Sequence, residues 1–266
     1  MTTKLRDSAL AVLREATNLS KAQAAVRRRA AEERLRKTFA TMFRTQGRLY
    51  LERLPKIANL FLSASVKEAS YDGDLVDAFA DVFGKTRGKA EKALVQSLFE
   101  GFENGYKMQA GEFGLEASFK LKPEQAVSWA RTNAAERITK IDETTQTEIK
   151  DLITRSIDEG RDYGSVAREI RDTFDGFTTS RAETVAVTEN AFAYENGTAT
   201  LVKDIESAGI TMEKSWSTIG GDECDICADN EGEGWIDADE TFQSGDEHPP
   251  AHPNCRCAAI YRVKED

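Results

Sequence analysis

The first half of the chain places its apolar residues at helical intervals. From Lys4 to about Glu52 the sequence is rich in Ala, Leu, Arg, Gln and Glu and contains no proline, a composition that favours a long helix. Leu35, Phe39 and Phe43 repeat every four residues, which marks the face that this helix buries. The pattern therefore predicts a long amphipathic helix that needs a packing partner.

Proline and glycine are expected to divide the helices that follow. Pro55 predicts a break in the first helix, because proline lacks a backbone donor and its ring clashes with the preceding turn. Further helices are predicted over residues 75–83 and 87–108, after which glycines loosen the chain. We therefore predict a helical N-terminal region over residues 1–116.

The second region, residues 117–266, begins with several shorter predicted helices. Proline is well tolerated at the first helical position, so a helix is expected to start at Pro123. A cap over residues 142–145 and a stop at Gly160 would divide this part into separate helices, and Gly176 would end the next one. These positions predict a bundle of short helices.

Four polar residues near the end of this bundle are assigned structural roles. Ser180 and Glu183 have the spacing of a capping box, in which each side chain bonds the other's backbone amide, so a new helix is predicted at Ser180. Arg181 with Glu183 and Glu189 can form a buried polar cluster or a single ion pair. A general acid or base here is the alternative, and we favour the structural interpretation.

Beyond Gly209 the pattern changes from helical spacing to alternation. Apolar and polar residues alternate from Thr211 to Ile219 and again from Cys257 to Val263, as in half-buried strands. Antiparallel pairing of these strands would form a C-terminal module over about residues 211–263. The predicted fold class is therefore α+β, a mostly helical chain that ends in a small antiparallel β element.

All cysteines and histidines of the chain lie in this C-terminal module. The candidate metal ligands are Cys224, Cys227, Cys255, Cys257 and His252. Two thiolates separated by two residues can reach one tetrahedral ion, and Cys-x-Cys on an extended strand directs both sulfurs to one face. The spacing predicts a structural Zn²⁺ site that staples one end of the sheet.

The choice of ligands remains open at this point. Five groups compete for four positions; we favour the four cysteines, with His252 in place of Cys255 as the nearest rival. Reduced cysteines packed in a core are the main alternative, since a free cysteine behaves as a small hydrophobe. Disulfides are not expected, because a charged N-terminus without an apolar leader indicates a reducing cytosol.

The charge of the chain is unevenly distributed. The net charge is −10, yet residues 1–56 carry fourteen Lys and Arg against five Asp and Glu. A basic belt on the first helix comprises Arg27, Arg28, Arg29, Arg34, Arg36 and Lys37. It is either a solvated helix face or a contact surface for DNA or an acidic partner. No apolar run approaches the length of a membrane span, so no membrane partner is expected.

Several motifs of the second region occur together in one known family. They are Arg181-Ala182-Glu183-Thr184-Val185-Ala186-Val187-Thr188-Glu189, Ala193, Asn196, Gly197, Trp216, Cys224-x-x-Cys227 and His252-Pro253-Asn254-Cys255-Arg256-Cys257. With these motifs, residues from about 120 to 263 resemble the phage Mu F-like minor head proteins, also called phage head morphogenesis proteins. Val187 stands where the family usually has Arg.

The resemblance implies a function in virus assembly. It implies a low-copy structural component of a phage or prophage head, assembled in the bacterial cytoplasm, with portal, capsid or scaffolding proteins and packaged DNA as partners. It implies no catalytic reaction. The alternative is a DNA-binding accessory protein or a metal-dependent nuclease built on His248, His252 and Asn254, which would need an open coordination position for water.

Overall fold

The computed structural model describes residues 19–63, 71–115, 121–159, 161–218 and 224–264. Within these ranges the chain forms four long helices, one short helix and three short strands. The helices are α1 (Leu19–Ser63), α2 (Tyr71–Glu112), α3 (Pro123–Asp158), α4 (Tyr163–Ser207) and α5 (Asp225–Gly232), and the strands are β1 (Met212–Ser217), β2 (Ile236–Asp237) and β3 (Ala258–Val263). The predicted fold class, mostly helical with a small antiparallel sheet at the C-terminal end, is confirmed.

The helices are longer than the sequence predicted. Helix α1 continues through Pro55, which is exposed at a point where Leu54 is buried, and α2 runs through the gap predicted after residue 83. Helix α3 starts at Pro123 and ends before Gly160 as predicted, but it includes the expected cap over residues 142–145. The local stop signals were therefore wrong at these positions.

Helix α4 shows why such signals fail. Its buried positions recur every fourth residue, at Ile170, Phe174, Thr178, Ala182, Ala186 and Asn190. This stripe crosses both Gly176, where a helix end was predicted, and Ser180, where a start was predicted. An interior glycine costs only about 1 kcal/mol relative to alanine, whereas burying Ile170 and Phe174 contributes about 1.5–3 kcal/mol each.

The three strands form one antiparallel sheet in the order β2-β1-β3. Strand β1 pairs with β3 along its whole length, from Met212 opposite Val263 to Ser217 opposite Ala258. Both predicted strands and their antiparallel pairing are confirmed. Strand β2 and helix α5 lie in the segment between them, for which no regular structure was predicted.

The chain divides into two compact units that are each discontinuous in sequence. The first comprises Met1–Arg34, Gln96–Arg131 and Thr184–Asp266, and the second comprises Leu35–Val95 and Thr132–Glu183. The predicted domain boundary between residues 116 and 117 falls within residues 116–120, which are outside the described ranges, and it stays a prediction.

Aromatic side chains fill the core of the second unit. Tyr50 is fully buried, and its ring centroid lies 6.2 Å from that of Phe83 and 5.6 Å from that of Phe174. Gln46 is also buried and donates to the Asp142 carboxylate over 3.4 Å. Burial raises the pKa of Asp142 to about 6. The predicted cap residue is therefore an interior polar contact between helices.

In the first unit, α2 and α4 approach each other at glycines. A Cβ atom on Gly105 would lie 2.0 Å from the carbonyl oxygen of Tyr194, and one on Gly197 would lie 2.0 Å from that of Phe102. Both distances are far below van der Waals contact. Only glycine, which has no side chain, permits such close packing at these two positions. The packing places α4 beside the apolar core that supports the sheet.

Candidate metal centre

The antiparallel sheet brings the two cysteine pairs together. Cys224 precedes the first residue of α5, and Cys227 lies in the first turn of this helix. Cys255 and Cys257 lie just before β3, which begins opposite the end of β1. The predicted meeting of the pairs at one end of the sheet is therefore observed.

Four candidate donor groups surround the Cys227 sulfur, which is the fifth. The ligand atoms of Cys224, Cys227 and His252 lie within 4.8 Å of one another, as do those of Cys227, Cys255 and Cys257. The Cys227 and Cys255 sulfurs are 3.8 Å apart, which equals the edge of about 3.8 Å expected between two sulfurs on one tetrahedral zinc. The cluster could therefore hold a metal ion, and Cys227 belongs to both halves of it.

His252 is oriented as a metal ligand. Its Nε2 atom lies 3.2 Å from the Cys224 sulfur and 3.3 Å from the Cys227 sulfur. Its Nδ1 atom lies 2.9 Å from the Pro253 carbonyl oxygen, to which it can donate only if it carries the proton. A proton on Nδ1 leaves the Nε2 lone pair directed at the cysteines, as in a histidine that binds metal through Nε2 and donates its other N–H to a carbonyl.

An apolar shell surrounds the sulfur cluster. Trp216 and Phe242 are buried against Cys227, Cys255 and Cys257, with the two rings in edge contact at 5.1 Å between centroids. This burial, followed by the neighbouring cysteines, raises the pKa of the Cys227 thiol. Burial therefore favours the neutral Cys227 thiol, and a bound cation would be needed to hold this sulfur as a thiolate.

Helix α4 anchors the segment that carries the later ligands. The Asn254 amide donates to the Thr188 hydroxyl over 2.8 Å, and the Ala259 amide donates to a Glu195 carboxylate oxygen over 3.1 Å. Asn254 has a φ of 62°, a left-handed conformation that asparagine adopts more readily than most residues. Thr188 and Glu195 of α4 therefore have a structural role, because they hold the segment that carries Cys255 and Cys257.

The part of the chain that contains the candidate metal centre matches a known protein family. A family model described as Phage Mu protein F like protein matches residues 147–260. These residues are similar to the Mu F-like proteins. The match lies within the range where the sequence motifs resemble the family, so that prediction is confirmed. No curated protein matches the chain, and no solved structure does. Among the described helices, none is long and apolar enough to cross a membrane.

Glu195 of the region similar to the Mu F-like proteins was not predicted as a site residue. Its side chain is 1% exposed, and burial raises its pKa from 4.5 to about 8 against the lowering effects of the Ala259 amide and Arg28. Its position three to four residues from other buried α4 residues was the available signal. A carboxylate in such a stripe indicates a specific buried partner, which only the fold identifies as the amide of β3.

We expect the Glu195→Gln variant to change how stability depends on pH. The unfolded chain ionises this carboxyl near pH 4.5 and the folded protein near pH 8. The stability that the neutral form provides is therefore complete below the first value and is lost as the pH rises through the second. Glutamine keeps an acceptor for Ala259 but does not ionise. Urea unfolding across this range should show a smaller pH-dependent decline in the variant.

The control for this prediction is Glu183→Gln, which alters an exposed carboxylate on the same helix. This variant should keep the wild-type dependence of unfolding free energy on pH. Parallel pH profiles for wild type and Glu195→Gln would contradict the buried, neutral state of Glu195.

The structure changes the roles that were predicted for the other polar residues at the start of the Mu F-like motif. Ser180 and Glu183 are exposed within the continuous helix α4, so the capping box is wrong. Arg181 instead forms an ion pair with Glu148 of α3 and lies 5.1 Å from the centroid of the Phe43 ring. Glu189 is buried. Arg181 thus joins α4 to α3, which fits a structural role.

The basic belt is partly neutralised by contacts within the protein. Arg28 pairs with Glu32 over 3.1 Å, and Arg34 pairs with Glu100. Arg29 and Lys37 are exposed and Arg36 is half-buried, whereas the side chain of Arg27 lies outside the described part of the structure. A contact between this belt and DNA or protein stays a prediction.

Proposed function

We propose that this protein is a minor head protein of a tailed phage or prophage, present in few copies and acting in head assembly at the portal or in the capsid interior. The observation that carries the proposal is the Mu F-like match, because the matched residues 147–260 include all five residues of the Cys and His cluster. Long helices and a stapled module suit a structural component. Its partners would be portal, capsid or scaffolding proteins.

The metal in this proposal is a structural Zn²⁺. Zinc held by sulfur and nitrogen ligands crosslinks chain segments and contributes to folding. Cys224 and Cys227 would connect the end of β1 to His252 and the cysteines before β3. Four of the five donors complete a tetrahedral shell, which leaves no position for a catalytic water.

A structural zinc site is favoured over the active site of a metal-dependent nuclease. A nuclease site would require His248 and His252 to face one open cation. His248 is instead half-buried with its Nδ1 atom 2.7 Å from the Pro249 carbonyl oxygen, and His252 is directed towards cysteine sulfurs. We therefore propose a protein without enzymatic activity.

The test is quantitative mass spectrometry of gradient-purified heads from the phage or induced prophage that encodes the chain. We expect a few copies per particle relative to the major capsid protein, both before and after DNA packaging. Absence from procapsids and mature heads, with abundant protein in the free lysate, would contradict a structural role in the head.

A further inference from the structure

The second unit contains a cavity that was not predicted from the sequence. It has a volume of about 470 Å³ and lies between the segments of α1 and α2 that belong to this unit. A cavity of this size falls within the range of small-molecule sites, about 300–1,000 Å³. Its charged lining residues are Lys37 of α1 with Lys85 and Lys89 of α2.

The lining is unusual because it contains three cations and no acid. The whole chain has a net charge of −10, yet residues 34–48 of α1 carry five Lys and Arg and no Asp or Glu. Among the lining lysines, Lys85 also contacts Asp81 over 2.9 Å, and both of those side chains are exposed. A concave surface lined by charges of one sign raises the local concentration of ions of opposite sign.

Three of the four threonines that line the cavity use their hydroxyl protons within their own helices. Thr41 and Thr45 donate to backbone carbonyls one turn earlier in α1, and Thr86 does the same in α2. Their remaining lone pairs can only accept hydrogen bonds, and the Thr86 oxygen already accepts one from the Gln46 amide over 3.3 Å. An anion that enters the cavity would therefore bind through the ammonium groups, with the threonine oxygens able to orient those groups.

We propose that this cavity binds a phosphate ester. A phosphate group offers several charged oxygens to ammonium groups that approach from two helices, and lysine is a common point-charge ligand of phosphate. Met42 and Ala90 form the apolar floor of the cavity and are almost completely buried, so the organic part of the ester would lie mainly towards the cavity opening. The inference does not rest on the role in head assembly.

Two kinds of ligand contain a phosphate ester, namely a free nucleotide and the backbone of DNA. They are distinguished by titrating the full-length protein separately with adenosine monophosphate and with a short DNA duplex of mixed sequence. The cavity variant is Lys85→Gln with Lys89→Gln. The matched control is Lys92→Gln with Lys107→Gln, because each double variant removes two charges from α2, and Lys85 and Lys107 each have a salt bridge to an acid four residues earlier.

We expect the cavity variant to weaken binding about tenfold or more, in keeping with the loss of two charge-assisted contacts, and the control variant to weaken it less than twofold. Saturable binding of the mononucleotide with this pattern assigns a nucleotide site. The same pattern with the duplex alone assigns a backbone contact, and its affinity should fall steeply with salt. Lys85→Arg with Lys89→Arg should retain binding.

Three results would overturn the proposal. They are a lack of saturable binding for both probes, equal weakening by the cavity and control variants, and displacement of the bound probe by polyglutamate as effectively as by inorganic phosphate. The last result would indicate a site for acidic protein segments instead.

Discussion

We expect the Cys227→Ser variant to lose its bound metal and to unfold the C-terminal module. Cys227 is 1% exposed and is the one residue common to both groups of candidate ligands. Its sulfur lies within 4.8 Å of the donor atoms of both groups, so we expect a tetrahedral set that spans the two groups to include it. Serine offers a hydroxyl that remains protonated and is a poor zinc ligand.

The expected effect is large because metal binding and folding are coupled. A structural zinc site contributes about 10–16 kcal/mol of binding free energy at neutral pH, which is comparable to the entire stability of a domain, about 5–15 kcal/mol. We expect metal analysis to find about one zinc per wild-type chain and almost none in the variant. Hydrogen exchange should show loss of protection in β1 and β3, with protection in α3 retained.

The control for this prediction lies between the two cysteines. Ile226 is 49% exposed, so Ile226→Ser changes the same turn without removing a ligand or a buried side chain. It should retain metal and protected strands. A Cys227→Ser protein with wild-type metal content, or wild-type protein that binds no zinc, would contradict the proposed centre.

We expect Gly105→Ala and Gly197→Ala each to destabilise the first unit by about 3 kcal/mol, the upper part of the usual range for overpacking. In both cases the new methyl group would meet a backbone carbonyl at 2.0 Å. A backbone atom cannot rotate away as a flexible side chain can, so α2 and α4 would have to separate. This separation would also disturb the Thr188 and Glu195 contacts of α4 with the metal-binding segment.

Each of these helices offers a matched control with the opposite expected sign. Gly88 of α2 and Gly176 of α4 have no atom within 4 Å of an added Cβ. Alanine at these positions should stabilise the protein by about 0.5–1 kcal/mol, because glycine loses more conformational entropy in a helix. Urea unfolding of the four variants provides the measurement. Equal effects at all four glycines would show that close helix packing is absent in solution.

The candidate metal centre was the part of the molecule most accessible from sequence. The spacing between Cys224 and Cys227 and the period-two pattern beside Cys257 are local properties that do not depend on distant residues. Their meeting required only that two predicted strands pair antiparallel. His252 was identified as a rival ligand, and its Nε2 atom does face two of the cysteine sulfurs.

The supporting contacts of the site could not be predicted in this way. The partner of Glu195 is the amide of Ala259, 64 residues later in the chain, and Thr188 bonds an amide 66 residues away. The sequence pattern also gave no reason to connect Lys37 with Lys85 and Lys89, which line one cavity only because α1 and α2 pack together.

The sequence by itself determined the helical character of the chain, the two main strands, the cysteine cluster and the family, because periodicity, ligand spacing and motifs are properties of short segments. The tertiary structure decided where the helices end, which glycines are essential and which polar residues support the metal centre. Caps and stop signals contribute only about 1 kcal/mol each. A buried stripe such as that from Ile170 to Asn190 outweighs them, and its burial exists only after distant helices have packed.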